Sequence, residues 1–186
     1  MLDTLITSKT RIKLLLKFFL NGNSSSYLRN LETEFGESSN AIRVELNRFE
    51  DAGLLQSSLQ GNKKYYQANQ SHPLYKDINN IVFKYVGIDK ILDNVIRKLG
   101  KLEKVFLCGD FARGLDCDII DLIFVGHKID REYLMRLVEK VEKRIKRRIR
   151  YIVYSEEEYT SHINRGNGDE LLLLWSCESE NPGISG

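Results

Sequence analysis

Apolar positions Ile12, Leu15, Leu16 and Phe19 recur at helical spacing behind Ser8, a good N-cap, and Asn21-Gly22-Asn23 closes the segment. A second stripe, Tyr27, Leu28, Leu31 and Phe35, predicts a helix that starts near Ser25 or Ser26 and stops at Gly36. Ser38 and Ser39 cap a third helix, which runs to about Ala52 with Ile42, Leu46 and Phe49 inward, and Gly53 ends it. The period then changes: residues 54–59 and 63–68 flank Gln60-Gly61-Asn62 and read as a β-hairpin. Pro73 opens another helical stretch through Leu74, Ile78, Ile81, Val82 and Tyr85. It breaks at Gly87, and Ile91, Leu92, Val95, Ile96 and Leu99 continue the pattern up to Gly100. Beyond, Val105 to Cys108 and Ile119 to Val125 read as strands around the turn Ala112-Arg113-Gly114. A long helix follows over residues 130–147, with Tyr133, Leu134, Leu137, Val138, Val141 and Ile145 inward. A strand over 150–154 and the apolar piece 171–175 complete an α/β layer.

Composition narrows the classes. The 186 residues are 42% apolar with only two prolines, which fits an ordered globular chain of one or two domains. No apolar run approaches the ~20 residues of a membrane-spanning helix. The start, MLDTLITSKTR, lacks a signal-peptide layout, so a cytoplasmic protein with no membrane partner is expected. Cys108, Cys117 and Cys177 show no CxxC pairing and read as reduced thiols. His72, His127 and His162 share no ligand spacing with one another or with the cysteines. A net charge of +2 is nearly balanced, so its distribution says more than its total.

Three short helices followed by a hairpin, with Ala52-Gly53-Leu54-Leu55 leaving the third helix and a G-x-x-x-Y-Y wing at Gly61 to Tyr66, resemble a winged helix-turn-helix of the ArsR or MarR style. The resemblance implies a third helix in a major groove, with Ser39, Asn40, Arg43 and Asn47 toward bases and Arg48, Lys63 and Lys64 toward phosphates. Its partner would be an operator in double-stranded DNA, met by a homodimer because one chain offers few contacts.

In the second half, Gly109, Asp110, Arg113 and Gly114, followed by Asp118-Ile119-Ile120-Asp121-Leu122, resemble the G-S-x-A-R-G and S-D-I-D-L motifs of small nucleotidyltransferase domains of the MNT type. The resemblance implies a nucleotide or anion contact at Gly109, Asp110, Arg113 and Gly114, and Mg²⁺ with a nucleoside triphosphate held by carboxylates. Three departures stand against that chemistry. Asp110 replaces the serine that seats the triphosphate, and a carboxylate repels it. Asp118 and Asp121 are three apart, which a regular strand sends to opposite faces, and Ile119 holds the first ligand position. Asp116 and Asp118 have i, i+2 spacing but sit close behind the Gly109 turn, and no third carboxylate occurs in residues 149–154. Arg113 fits either an anion contact or a pair with Asp110 or Asp116.

The basic run Lys140, Lys143, Arg144, Lys146, Arg147, Arg148 and Arg150 reads as a solvated helix face, with a second nucleic-acid surface as the sharper alternative. Tyr151, Tyr154, Tyr159 and Trp175 read as core aromatics. The expected organisation is α+β: a winged helix over residues 1–70, a linker or dimer helix over 71–88, a nucleotidyltransferase-like domain over 89–177, and a tail over 178–186. The expected function is a DNA-binding transcriptional regulator whose second domain senses or dimerises without catalysis. The alternatives are an active Mg²⁺-dependent nucleotidyltransferase, with Asp116, Asp118 and Asp121 as candidate ligands, and an antitoxin-like interaction module, which exposure of Ile78, Phe83 or Val86 on the linker helix would favour.

Overall fold

A computed structural model describes residues 5–92, 99–145, 147–164 and 171–177. Val95 and Ile96 of the expected helix before Gly100, Lys146 of the basic run, and the tail from Glu178 to Gly186 lie outside the described residues. The chain forms two compact units, Met1–Tyr85 with Arg113–Asp116, and Val86–Ala112 with Cys117–Gly186. Both mix helix and sheet, so the molecule is α+β with two sheets. Among the described residues no helix is long and apolar enough to cross a membrane.

In the first unit, helix α1 (Lys9–Leu15) starts where the Ser8 hydroxyl accepts the Arg11 amide. It runs on into a π-helical turn, Leu16–Leu20, whose five residues are all buried. A segment buried all round explains why its apolar positions outnumber one helical stripe. Lys17 is buried among them, and its ammonium lies 2.9 Å from Glu34. Helix α2 (Leu28–Phe35) ends at Gly36, whose φ of 62° is the left-handed turn a glycine C-cap supplies. Helix α3 (Ser39–Asp51) is capped by Ser38 and buries Ile42, Glu45, Leu46 and Phe49.

The expected helix start at Ser25 or Ser26 is corrected. Ser25–Tyr27 is a short strand, β1, antiparallel to Gln67, Tyr66 and Tyr65. Pairing there supplies hydrogen bonds to what would otherwise be an open edge of the hairpin, and Tyr27 meets Tyr65 edge-on with ring centres 5.2 Å apart. The hairpin consists of β2 (Leu55–Gln60) and β3 (Lys63–Ala68), and the sheet order is β1-β3-β2. Helix α4 (Tyr75–Val86) follows, and Gly87 breaks it at a φ of 96°.

The second unit holds a four-stranded sheet in the order β6-β5-β4-β7. Strand β4 (Lys101–Cys108) begins four residues earlier than its apolar core suggests, and Gly109–Ala112 forms a single helical turn, α5. Strand β5 (Ile119–His127) lies antiparallel to β4. Helix α6 (Arg131–Ile145) then carries the chain to β6 (Arg148–Tyr154), parallel to β5. Helix α7 (Glu156–His162) had no counterpart in the sequence reading, and β7 (Leu172–Ser176) closes the sheet against β4. One face buries Phe106, Ile123 and Val125 beneath Cys108, Tyr154, Tyr159 and Leu171. Tyr159 stacks on Phe106 at 5.0 Å, and Tyr154 packs on the same cluster, whereas Tyr151 is half-buried on β6 outside it.

Candidate functional site

At the start of β5 the alternation of side chains places Ile119, Asp121 and Ile123 on one face. Asp121 pairs across β4 with Cys108 and across β6 with Arg150. The Arg150 guanidinium grips both carboxylate oxygens of Asp121, Nε to Oδ1 at 2.6 Å and Nη2 to Oδ2 at 2.9 Å. This fork geometry presents two parallel donors to two acceptors. Gly109, with a φ of 68°, lies directly beneath: a Cβ there would stand 2.7 Å from Asp121 Oδ2. Burial pushes the Cys108 thiol up to about 11, and the Asp121 carboxylate adds to that rise while Arg150 opposes it. Such a thiol is protonated and inert at neutral pH. Cys108, Gly109, Asp121, Arg150, Tyr151 and His162 line a cavity of about 400 Å³.

The other expected residues do not gather there. Asp118 precedes β5 in an exposed bend, and its carbonyl accepts the Arg148 amide at 2.8 Å. Asp116, exposed, belongs with Arg113 and Gly114 to the segment that joins the first unit. Gly114 is buried, and a Cβ on it would stand 2.4 Å from the Lys17 backbone. Asp110 is half-buried in α5. Of the proposed anion cradle, Gly109 alone lines the cavity among the described residues.

Two-metal transfer needs carboxylates converging on shared cations. Here Ile119 shares the face of Asp121, and the guanidinium already occupies both of its oxygens. Among the described residues no three His, Cys, Asp or Glu side chains gather in a way that could hold a metal ion. The residues do not fit a Mg²⁺ pair.

Arg150 is the residue the sequence reading missed. It was one cation in a basic run, although the parallel register puts it opposite Asp121. Two further cations of the run have structural duties. The Arg147 guanidinium lies 5.0 Å from the Phe111 ring centre and donates to the Cys117 carbonyl, and Arg148 faces Glu142 at 3.4 Å. Lys140, Lys143 and Arg144 are exposed on α6.

The second candidate lies in the first unit, between α2, α3 and the hairpin. Tyr27, Arg29, Glu32, Arg43, Asn47, Asn62, Lys63, Lys64 and Tyr66 line a groove of about 430 Å³. Asn40, Arg43 and Asn47 are exposed, whereas Ser39 is half-buried, off the outward face expected for it. Lys63 lies 4.4 Å from the Tyr27 ring centre. Arg48 and Lys64 are exposed as expected, but each is held by a carboxylate. Arg48 Nη1 lies 3.2 Å from Glu45, and Lys64 Nζ lies 2.7 Å from Glu50. Hydrogen bonds from Lys64 and Ser57 hold Glu50 below the usual carboxylate range, and Glu50 in turn raises Lys64. Arg29, not foreseen, comes from α2 and is exposed beside the groove, and among the described residues neither it nor Arg43 makes an ion pair.

On α4, Val86 is fully buried and Ile78 and Phe83 are half-buried, so these three do not supply the exposed apolar surface that would favour an interaction helix, whereas Ile81 of the same helix is exposed. The histidines have ordinary neighbours: Leu74 donates its amide to His72, His127 faces Glu103 at 3.6 Å, and His162 meets the Tyr154 hydroxyl at 3.3 Å.

No family model matches the chain. No curated protein matches it either. Among solved structures, it is similar to a Sulfolobus solfataricus protein described as a candidate nucleotidyltransferase, at 25% identity and a TM-score of 0.38, over 56% of this chain and 90% of that one. It is also similar to a protein of Archaeoglobus fulgidus, at 14% identity and a TM-score of 0.36, over 44% and 93% of the two chains.

Proposed function

We propose that the chain is a DNA-binding regulator whose first unit is a winged helix-turn-helix. The observation that carries this is the groove between α3 and the hairpin, where Arg29, Arg43 and Lys63 stand beside Asn47 and Asn62. Three cations around a concave seat suit a phosphodiester backbone, and the amides suit base edges. The order of α1, α2, α3 and the β2–β3 hairpin supports the same reading. In it, α3 enters a major groove and the hairpin is the wing. Arg48 and Lys64 serve first as ion-pair partners of Glu45 and Glu50, and phosphates must compete for them.

The second unit, in this reading, has a nucleotidyltransferase-like scaffold that senses a ligand or dimerises without transferring nucleotides. The turn at Gly109 and the β4–β5–β6 arrangement support the scaffold. The Asp121–Arg150 pair supports the absence of transfer chemistry.

The test is fluorescence anisotropy of a duplex pool against the full chain over a range of salt. Binding should fall with log[salt] at a slope of about −2 to −3 per chain, from roughly 0.9 per neutralised phosphate. A homodimer would double that slope, and sedimentation of the free chain reads its oligomeric state directly. Absence of any duplex binding at low salt would sink the proposal.

A further inference from the structure

We infer that α3 reads A·T base pairs, with Val44 as the contact to a thymine methyl between two asparagines that pair with adenine. This rests on the DNA-binding reading above and names the sequence class it selects. Asn40, Val44 and Asn47 recur at i, i+4 and i+7, so they share the outward stripe of α3, and all three are exposed. Val44 is 40% exposed. A lone exposed valine is ordinary. Val44 differs in its setting, because a β-branched side chain in mid-helix lowers helix propensity and here gains no full burial in return.

The chemistry of the stripe matches one kind of base pair. The thymine C5-methyl is the apolar group that the major groove offers, and adenine presents an acceptor and a donor to which an asparagine amide fits bidentately. An amide, a small apolar surface and a second amide along one face therefore complement adjacent A·T pairs. Asp51 ends the same stripe with a negative charge, which phosphates repel, so the N-terminal turns are the ones that approach the bases. Arg43 lines the groove on the wing side, beside Asn47, where a guanine or a phosphate is within its chemistry.

The hairpin supplies an independent observation of the same sign. Leu59 is 78% exposed near the far end of β2, directly across from Lys64, with Gln60 and Asn62 beside it. Apolar wedges flanked by amides and cations are what minor-groove contacts use, and that groove separates chiefly A·T from G·C. Both reading elements thus favour A·T-rich DNA.

The experiment selects duplexes from a randomised library with the full chain at low salt, then replaces thymine by uracil at each enriched position. Uracil lacks only the C5-methyl. A·T pairs should be enriched at two or three neighbouring positions. Uracil at one of them should weaken wild-type binding about fourfold, the size of one methyl group withdrawn from water. Val44→Ala, at an exposed position with no core role, should fold normally and be indifferent to the swap. Enrichment of G·C pairs, or wild-type binding insensitive to uracil at every position, overturns this inference and leaves DNA binding standing. Failure to retain any duplex overturns the DNA-binding reading itself, and this inference with it.

Discussion

Glu45 offers a direct test of what holds α3 in place. The residue is only 5% exposed, yet it carries a charge in a helix otherwise packed through Ile42, Leu46 and Phe49. Arg11 of α1 reaches it with Nε at 2.9 Å and Nη2 at 3.2 Å, and Arg48 adds a bond at 3.2 Å. Burial works to raise the Glu45 pKa, but hydrogen bonds from Arg11 and Ser8 and the charges of Arg11 and Arg48 outweigh it and hold the carboxyl low. Breaking a fully buried ion pair costs about 3–5 kcal/mol, and an exposed one is worth about 0–1. Here the carboxylate is buried while the Arg11 and Arg48 side chains remain 35% and 60% exposed. Glu45→Gln, which keeps the volume and removes the charge, should therefore cost about 2–3 kcal/mol at pH 7, mostly through Arg11. A depressed folded pKa gives stability that is complete above the unfolded value of about 4.3 and is lost as pH falls through the folded one. The gap between wild type and variant should accordingly be constant near neutrality and close as the pH drops below about 4. Amide hydrogen exchange in α1 and α3 under mild urea reads this unit specifically, because the single tryptophan, Trp175, lies in the other. A gap below about 0.5 kcal/mol at pH 7, within the range of an ordinary surface substitution, or one that persists unchanged into acid, refutes the reasoning.

Three other perturbations follow from the same geometry. Gly109→Ala forces a side chain into a left-handed backbone, at about 1–2 kcal/mol, and pushes the Asp121 carboxylate off Arg150. Trp175 fluorescence should show earlier melting of the second unit, with a smaller effect in an Asp121→Ala background. Arg150→Asp places a second carboxylate in register with Asp121, so the variant should bind Mn²⁺ in a paramagnetic-resonance titration where wild type does not. Asp121-dependent Mn²⁺ binding by the wild type would reverse the reading of this site. Lys63→Ala should lower the salt slope of DNA binding by about one, and Lys64→Ala by less, since Glu50 already holds that ammonium; equal losses in anisotropy would contradict the assignment.

Helices α1 and α3 were legible from a stripe behind a capping serine, Ser8 and Ser38, and α2 and α3 from their glycine stops, Gly36 and Gly53, whereas the start of α2 carries no side-chain cap. Strand β1 was not, because three residues hold no period, and what makes them a strand is the distant edge of β3. Helix α7 was announced by Ser155 and Glu158, a capping box with both reciprocal bonds formed, yet its weakly apolar stripe concealed it. At the start of β5, spacing alone separated Asp118 from Asp121. It could not reveal that Arg150 answers Asp121, since that pairing depends on the parallel register set by α6. Likewise Arg29 enters the groove only once α2 is placed against the hairpin.

Charge composition conceals what ion pairing separates. Arg48 and Lys64 lie on the helix and wing expected to meet DNA, and in a sequence they are indistinguishable from Arg43 and Lys63. Their carboxylate partners differ in burial, and burial decides how firmly each cation is held. Glu45 is buried and keeps two bonds from Arg11 when Arg48 leaves, whereas Glu50 is half-buried and holds Lys64 at 2.7 Å. The same logic at Asp121 runs further. Gly109 has no Cβ to crowd the Asp121 carboxylate, and Arg150 neutralises that carboxylate with two bonds from the adjacent strand. A divalent ion arriving there would have to displace a two-bond guanidinium and would find one carboxylate instead of two.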